Sequence, residues 1–446
     1  MKAFIFLSFT AVAFSVQCQV APILASNYQN IIEQALINPG VKGISACVIL
    51  PDETIWLGTA GDNGSGIEIN ENTVFYAGST TKSFVATRVL QLWQEDAIDL
   101  DAPYTSYIDE IPNVQPEVTI RQLLGHTSGV YDYIENPIFF DGVFSDFSYT
   151  YDPIELLSLY LNQPHNFQPG TNYQYSNTNY IILGLVIEGI TGNSLAQELR
   201  DNIFNPLLLT KTYFGGYETF NDQHCGLHWL ENNSLVDLTP NFPHQSLLTC
   251  AFASGNIVSY PQDEAKYVRK LMNGEVLNDE ALAMMLDLNT FSNNYGLGAI
   301  AIPAGGDTVL YGHTGGIGNI TEMFHCPLLN VTVVVVQNSM NASLETFINL
   351  FLATTEYLNQ EVSVEEAEVN ELSIFPNPAS NLFTVTHKGE RMVRVDVIGI
   401  NGNLIKTMSP NANIQDIDLS ELAVGIYNIQ VLLDSGHTIN KQLQKR

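Results

Sequence analysis

The sequence predicts an α/β fold in which a helical domain is inserted between the two halves of a sheet, followed by a small separate β-sandwich. Two β-like runs stand near the start, Ile44 to Leu50 and Thr54 to Thr59, joined by the turn signal Pro51-Asp52. A long helical middle follows, and strand signals return only at 294–302, 306–311, 319–325 and 331–338. Past residue 371 the texture changes to short β-like runs separated by turn dipeptides. With 446 residues the chain is too long for one compact core, so two or three domains are expected.

Taken in order, residues 1–20 read as an export signal. Lys2 supplies the positive end, Ala3 to Val16 form an apolar stretch too short to span a bilayer comfortably, and cleavage is expected near Cys18 to Ala21. Gln17 before Cys18 is a poor residue for a lipobox, and no later segment is apolar for long enough to cross a membrane. Residues 26–38 read as a helix with Ile31, Ile32, Ala35 and Leu36 on one side. Ser79 to Glu95 repeat Phe84, Val85, Val89, Leu92 and Trp93 at helical spacing. Further helices are predicted at 119–125, 153–161, 178–191, 194–201 and 261–272, and one at 341–358 closes a main domain of residues 25–358. Residues 359–371 are rich in glutamate without a basic residue, which reads as a solvated acidic linker. Within 372–446, runs at 372–375, 382–387, 392–399, 403–407 and 426–433 alternate with turn signals such as Asn377-Pro378 and Asn401-Gly402.

Composition narrows the function. The net charge is −30, and residues 1–360 hold 36 acidic against 10 basic side chains. Such a surface repels phosphate backbones and anionic lipid, so nucleic acid is not an expected partner; the charge is read as a solubility feature of an extracellular protein. Beyond the signal, Cys47, Cys225, Cys250 and Cys326 allow three complete disulfide pairings or remain as buried thiols. There is no Cys-x-x-Cys and no His-Glu-x-x-His, and His224 and His228 frame Cys225 without an evident third ligand. Neither a metal nor another cofactor is expected.

Three short motifs carry chemistry. Ser79-Thr80-Thr81-Lys82 is the sole S-x-x-K of the chain, and on a helix it places both side chains on one face. A serine hydroxyl needs a base beside it, and a lysine serves if desolvation brings its pKa towards neutrality. Alone, the motif reads equally as a serine N-cap with an exposed lysine one turn on. Tyr175-Ser176-Asn177 lies in a polar loop leading into a helix; Tyr-x-Asn recurs at Tyr28, Tyr160 and Tyr357, so its spacing alone means little. Gly312-His313-Thr314-Gly315-Gly316 lies between strand signals, where glycines often mark close backbone approach; the plain alternative is a glycine-rich hairpin with a surface histidine.

All three, in this order, resemble the penicillin-recognising serine hydrolase family, which joins class C β-lactamases, D-Ala-D-Ala carboxypeptidases and related esterases and aminopeptidases. The resemblance implies an antiparallel sheet flanked by helices with an inserted helical domain. It makes Ser79 the acylated nucleophile, Lys82 its base and Tyr175 the proton shuttle. It has Asn177 hold the substrate's amide, His313 and Thr314 bind a carboxylate, and the Ser79 and Gly316 N–H groups form an oxyanion hole. Leu123 to Gly129 (Leu-Leu-Gly-His-Thr-Ser-Gly) also resembles a family segment that supports the site. One departure stands out: many β-lactamases have lysine where this chain has His313, so strong β-lactamase activity is not expected, and an acidic surface raising the pKa of His313 would make substrate choice pH-dependent.

Phe375 to Ser380, Gly425-Ile426-Tyr427 and the basic end Lys441 to Arg446 resemble the C-terminal sorting domain of the type IX secretion system of Bacteroidota. That resemblance implies delivery through the periplasm to the cell surface or beyond, with the secretion machinery as partner. The expected activity is an acyl-enzyme hydrolase acting on a small-molecule or peptide substrate through an amide, peptide or ester bond. The alternatives are a non-catalytic surface binding module that retains the fold, and a cell-surface adhesin. The pocket loops, expected at 130–150 and 215–250, do not name the substrate.

Overall fold

The computed structural model describes residues 20–37, 40–231, 234–241, 244–288, 290–292, 294–340, 342–399 and 403–446. Apart from Val20, the expected export signal lies outside the described residues. The chain divides into two units between Ala353 and Thr354.

In the first unit, helix α1 (Pro22–Ala35) starts at a proline, whose missing N–H is no loss in a first turn. It buries Leu24, Tyr28 and Ile32, four residues apart on one stripe, and Tyr28 meets Trp56 with ring centroids 5.0 Å apart. The sheet is built from β1 (Gly43–Ile49), β2 (Ile55–Gly61), β3 (Ile300–Pro303), β4 (Val309–Gly316), β5 (Ile320–Cys326) and β6 (Val331–Gln337). Their order is β2-β1-β6-β5-β4-β3, and every pairing is antiparallel. Both faces of β1 and β6 are covered, so Val331 to Gln337 is buried at every position although it runs as six apolar or β-branched residues and a glutamine.

The chain leaves this sheet at Gly61 and returns at Ile300, and the intervening segment is mainly helical, as the sequence predicts. Helix α2 (Thr81–Gln94) is buried on nearly all sides, and its Phe84 stacks on Tyr267 of helix α5 (Pro261–Met272) at 3.6 Å between centroids. Helix α3 (Asn177–Thr191) and the helical segment α4 (Gln245–Gly255) pack beside it. A small sheet of Phe75–Tyr76, Ile257–Ser259 and Tyr213–Phe214 anchors the chain just ahead of α2.

Several elements differ from expectation. Helices at Phe139–Ser145, Gln245–Gly255 and Asp279–Leu286 have no counterpart in the sequence reading; α4 is kinked at Phe252 (φ 36, ψ −126), so its apolar residues follow no single helical period. The strand expected at 294–302 shortens to β3, because Gly296 and Gly298 interrupt it. The strand expected at 306–311 runs instead to Gly316, so the Gly312–Gly316 motif is itself strand, not a connection. The closing helix α6 (Glu345–Glu371) extends through the expected linker 359–371, where no proline or glycine stops it. Cys47, Cys225, Cys250 and Cys326 are all buried free thiols, and burial pushes Cys47 and Cys225 up to about 12, which leaves them unreactive.

The second unit contains seven strands, β7 (Leu372–Phe375) to β13 (Thr438–Lys445), in a three-stranded and a four-stranded sheet that form a β-sandwich. Its core is Leu372, Phe383, Val385, Val395, Val397, Ile417, Ile429 and Val431. Strands Ile414–Asp418 and Thr438–Lys445 escape the sequence reading because each has only two apolar residues, set among polar ones.

Candidate active site

The sequence places Ser79 just ahead of a helix, and the backbone there is fixed before any side chain acts. Ala77 N–H bonds to Ile257 O at 2.8 Å in the small sheet. Gly78 then takes φ +59, which turns the chain into a 3-10 turn, Gly78–Thr80, followed directly by α2. Ser79 is thus lifted to the start of the helix, and Lys82 follows in its first turn on the same side.

Lys82 is fully buried, and its Nζ has three partners: Ser79 Oγ at 3.0 Å, Asn177 Oδ1 at 2.7 Å and Ser254 O at 2.7 Å. The Asn177 amide donates through Nδ2 to Asp132 Oδ2 at 2.9 Å and turns its Oδ1 to Lys82, the orientation that a carboxylate on one side and an ammonium on the other call for. Two of the three partners of Nζ are therefore carbonyl oxygens that cannot donate. When Lys82 loses a proton its lone pair has one available donor, the Ser79 hydroxyl. Burial lowers the Lys82 ammonium to about 7, against the opposing charge of Asp132. Burial likewise raises the Asp132 carboxyl, despite the bonds it accepts from Asn177 and Ile134 and the charge of Lys82. A neutral amine is thus accessible near neutral pH.

Tyr175 is half-buried, lines the same cavity as Ser79, and its ring centroid lies 4.9 Å from Lys82 Nζ. Desolvation holds its phenol well above the usual range, so it stays protonated at rest. Its ring lies against that of His126, with centroids 4.2 Å apart at 32°.

His126 opens a directed chain of hydrogen bonds. Ser176 N–H bonds to His126 Nδ1 at 3.1 Å, so the hydrogen of this imidazole sits on Nε2, which faces Tyr295 OH at 3.2 Å. At the far end, His313 Nδ1 lies 2.6 Å from Thr314 O, which can only accept, so His313 Nε2 is bare and accepts from Tyr295 OH at 3.0 Å. Every donor and acceptor in this chain is matched with both histidines neutral. Burial and the charge of Lys82 lower both histidines, His313 to about 3.

This corrects two expectations. His313 is 1% exposed and both its ring nitrogens are engaged, so it has no free donor for a carboxylate. Its pKa moves down, not up, because loss of solvation outweighs the acidic surface, and no switch between pH 5 and 8 follows. Asn177 is held between Lys82 and Asp132.

A cavity of about 280 Å³ is lined by Ser79, Tyr173, Tyr175, Tyr295, His313 and Gly316, with Thr314 and Asn294 also on its wall. The sequence reading missed Asp132, Ser254, Tyr173 and Tyr295. A larger cavity of about 1000 Å³, between residues 105–113 and the helices at 154–161 and 185–189, shares no residue with it. No group of His, Cys, Asp or Glu among the described residues could hold a metal ion.

Residues 28–353 match the family model described as Beta-lactamase. The chain belongs to the β-lactamase family. This is a family of serine hydrolases, and residues 373–445 match a second model, the secretion system C-terminal sorting domain, a type IX tail that implies export. Relatives of the β-lactamase domain include esterase EstB of Burkholderia gladioli, 33% identical over 206 residues that cover 42% of this chain and 50% of that one. The teichoic acid D-alanine hydrolase of Staphylococcus aureus strain MRSA252 is 25% identical over 210 residues, 47% of this chain and 49% of that protein. The chain therefore spans about half the length of these two relatives. The crystal structure of the D-amino acid amidase from Ochrobactrum anthropi SV3 superposes with a TM-score of 0.65 at 26% identity, covering 75% of this chain and 99% of the amidase.

Proposed function

We propose that the protein is an exported hydrolase that forms an acyl-enzyme on Ser79, with Lys82 as general base, and cleaves an ester or amide. The observation that carries this reading is the Lys82 Nζ contact with Ser79 Oγ at 3.0 Å, combined with two further partners that can only accept. Neutral Lys82 takes the hydroxyl proton as Oγ attacks the substrate carbonyl. The N–H groups of Ser79 and Gly316 receive the oxyanion; a Cβ built on Gly78 would lie 2.6 Å from Gly316 N, so the turn and the strand are in backbone contact there. Tyr175, whose ring lies 4.9 Å from Lys82 Nζ, relays the proton from Lys82 to the leaving group, and in deacylation takes a proton from the attacking water while passing its own to Lys82. Asn177 and Asp132 orient Lys82. A binding module has no use for a buried amine pressed against a serine.

The esterase and amidase activities in the names of similar proteins fit this chemistry. The sorting domain is the delivery address of the chain and carries no part of the site. The test is incubation of the wild-type protein with a fluorescent fluorophosphonate and, separately, a fluorescent penicillin. The phosphonate should give one adduct, on the peptide that bears Ser79, and the penicillin little. Phosphonylation at another serine would overturn the assignment.

A further inference from the structure

The catalytic reading, on which this inference rests, leaves open what the cavity beside Ser79 receives. Its wall consists of three tyrosines, the Ile300 side chain, the His313 imidazole, the Asn294 amide, the hydroxyls of Ser79 and Thr314, and Gly315 and Gly316. Among the described residues no lysine or arginine lines it, and its one histidine has both nitrogens engaged within the protein. The nearest cation, Lys82, is behind Ser79, holds three protein partners, and must be neutral to act. A carboxylate entering the cavity would lose its water and meet no ionic partner, which is strongly unfavourable. An ammonium meets a different surface. Tyr173 and Tyr295, 6.0 Å apart between centroids, line it with aromatic rings, and Thr314 adds a neutral hydroxyl oxygen. Whenever Lys82 is protonated, its ammonium is already held by rings, 4.9 Å from the Tyr175 centre and 5.6 Å from that of Tyr180. The net charge of −26 over residues 1–360 acts in the same direction, drawing cations and repelling anions.

We infer that the cavity selects esters and amides whose group next to the scissile bond carries an ammonium, and rejects those that carry a carboxylate there. This parts the protein from hydrolases that cut substrates ending in a free carboxylate.

Three thioacetates of matched size test this on the full exported chain: acetylthiocholine, its uncharged carbon isostere, and a carboxylate-bearing analogue. Each consumes one water and breaks one C–S bond, giving acetate and a thiol that is read colorimetrically. kcat/KM should be about tenfold higher for the cationic than for the neutral ester, in keeping with a partly desolvated cation–π contact. It should be at least about tenfold lower again for the anionic ester. The order should persist at about 0.5 M salt, where surface charge is screened within a few ångströms. Tyr173→Leu should pull the cationic-to-neutral ratio towards one. An anionic ester cleaved as fast as the neutral one overturns the inference, as does a ratio that vanishes in salt, or phosphonate labelling of Ser79 without turnover of the cationic ester. Absence of both labelling and turnover instead overturns the catalytic reading beneath it.

Discussion

Ser79→Ala should lose covalent labelling completely, and its hydrolysis should fall by about 10⁴- to 10⁶-fold, the range seen when a nucleophile that acts in concert with its base is removed. Lys82→Met should fall by a similar factor, because the two side chains act as one unit and either loss disables both. The double variant should be scarcely worse than either single one. The pH profile separates Lys82 as a base from Lys82 as a structural contact. Its ammonium is lowered to about 7 by burial, and only the free amine can accept the Ser79 proton. kcat/KM should therefore rise about tenfold per pH unit below that value and level off above it. Asp132 opposes the shift through its charge, so Asp132→Asn should move the rising limb to lower pH while leaving Ser79 in place. A wild-type profile flat from pH 5.5 to 8.5, or an Asp132→Asn limb displaced to higher pH, contradicts this account.

Gly315→Ala should cripple the enzyme without changing any reacting side chain. A Cβ at this position would fall 1.9 Å from Ala77 O and 3.0 Å from Ser79 N, and both are backbone atoms held by the small sheet and the 3-10 turn. Strand β4 and the nucleophile turn would have to separate. Overpacking of this kind costs about 1–3 kcal/mol of stability. Moving the two sides of an oxyanion hole apart by about 1 Å costs about 10²-fold in rate. Gly316→Ala is the control, since the nearest atom to its added Cβ is the flexible Met340 Cε at 3.5 Å. The denaturation midpoint should drop for Gly315→Ala and hold for Gly316→Ala. Equal stability of the two would show that the strand and the turn are not packed backbone to backbone.

The contrast between these two glycines marks the boundary of what the sequence discloses. The Ser79/Lys82 pair is legible because helical spacing alone puts the two on one face, and Gly312 to Gly316 is legible because only glycine tolerates such close approach. The insertion of helices between Gly61 and Ile300 is legible from the switch between periods of two and 3.6. The third partner of Lys82 is not, because it is the carbonyl of Ser254, and every residue has a carbonyl; it is aimed by a kink at Phe252 that no motif announces. Asp132 is equally hidden, since its contact with Asn177 spans 45 residues. The chain from His126 through Tyr295 to His313 defeats local reading altogether. His126 and Tyr295 are 169 residues apart, and the neutrality of both histidines follows from burial and from which neighbouring atoms can donate. His313 read as a donor to a substrate carboxylate shows the same blindness: nothing in the local sequence tells that both its ring nitrogens are taken up within the protein.

The most direct measurement is the mass of the protein during turnover. Wild-type enzyme mixed with excess acetylthiocholine and quenched in acid within the first turnovers should carry one acetyl group, located by peptide mapping on Ser79. The acetyl should be absent from enzyme quenched after substrate is exhausted. Hydrolysis that proceeds with no acylated protein at any quench time, or with acyl on a residue other than Ser79, contradicts the mechanism.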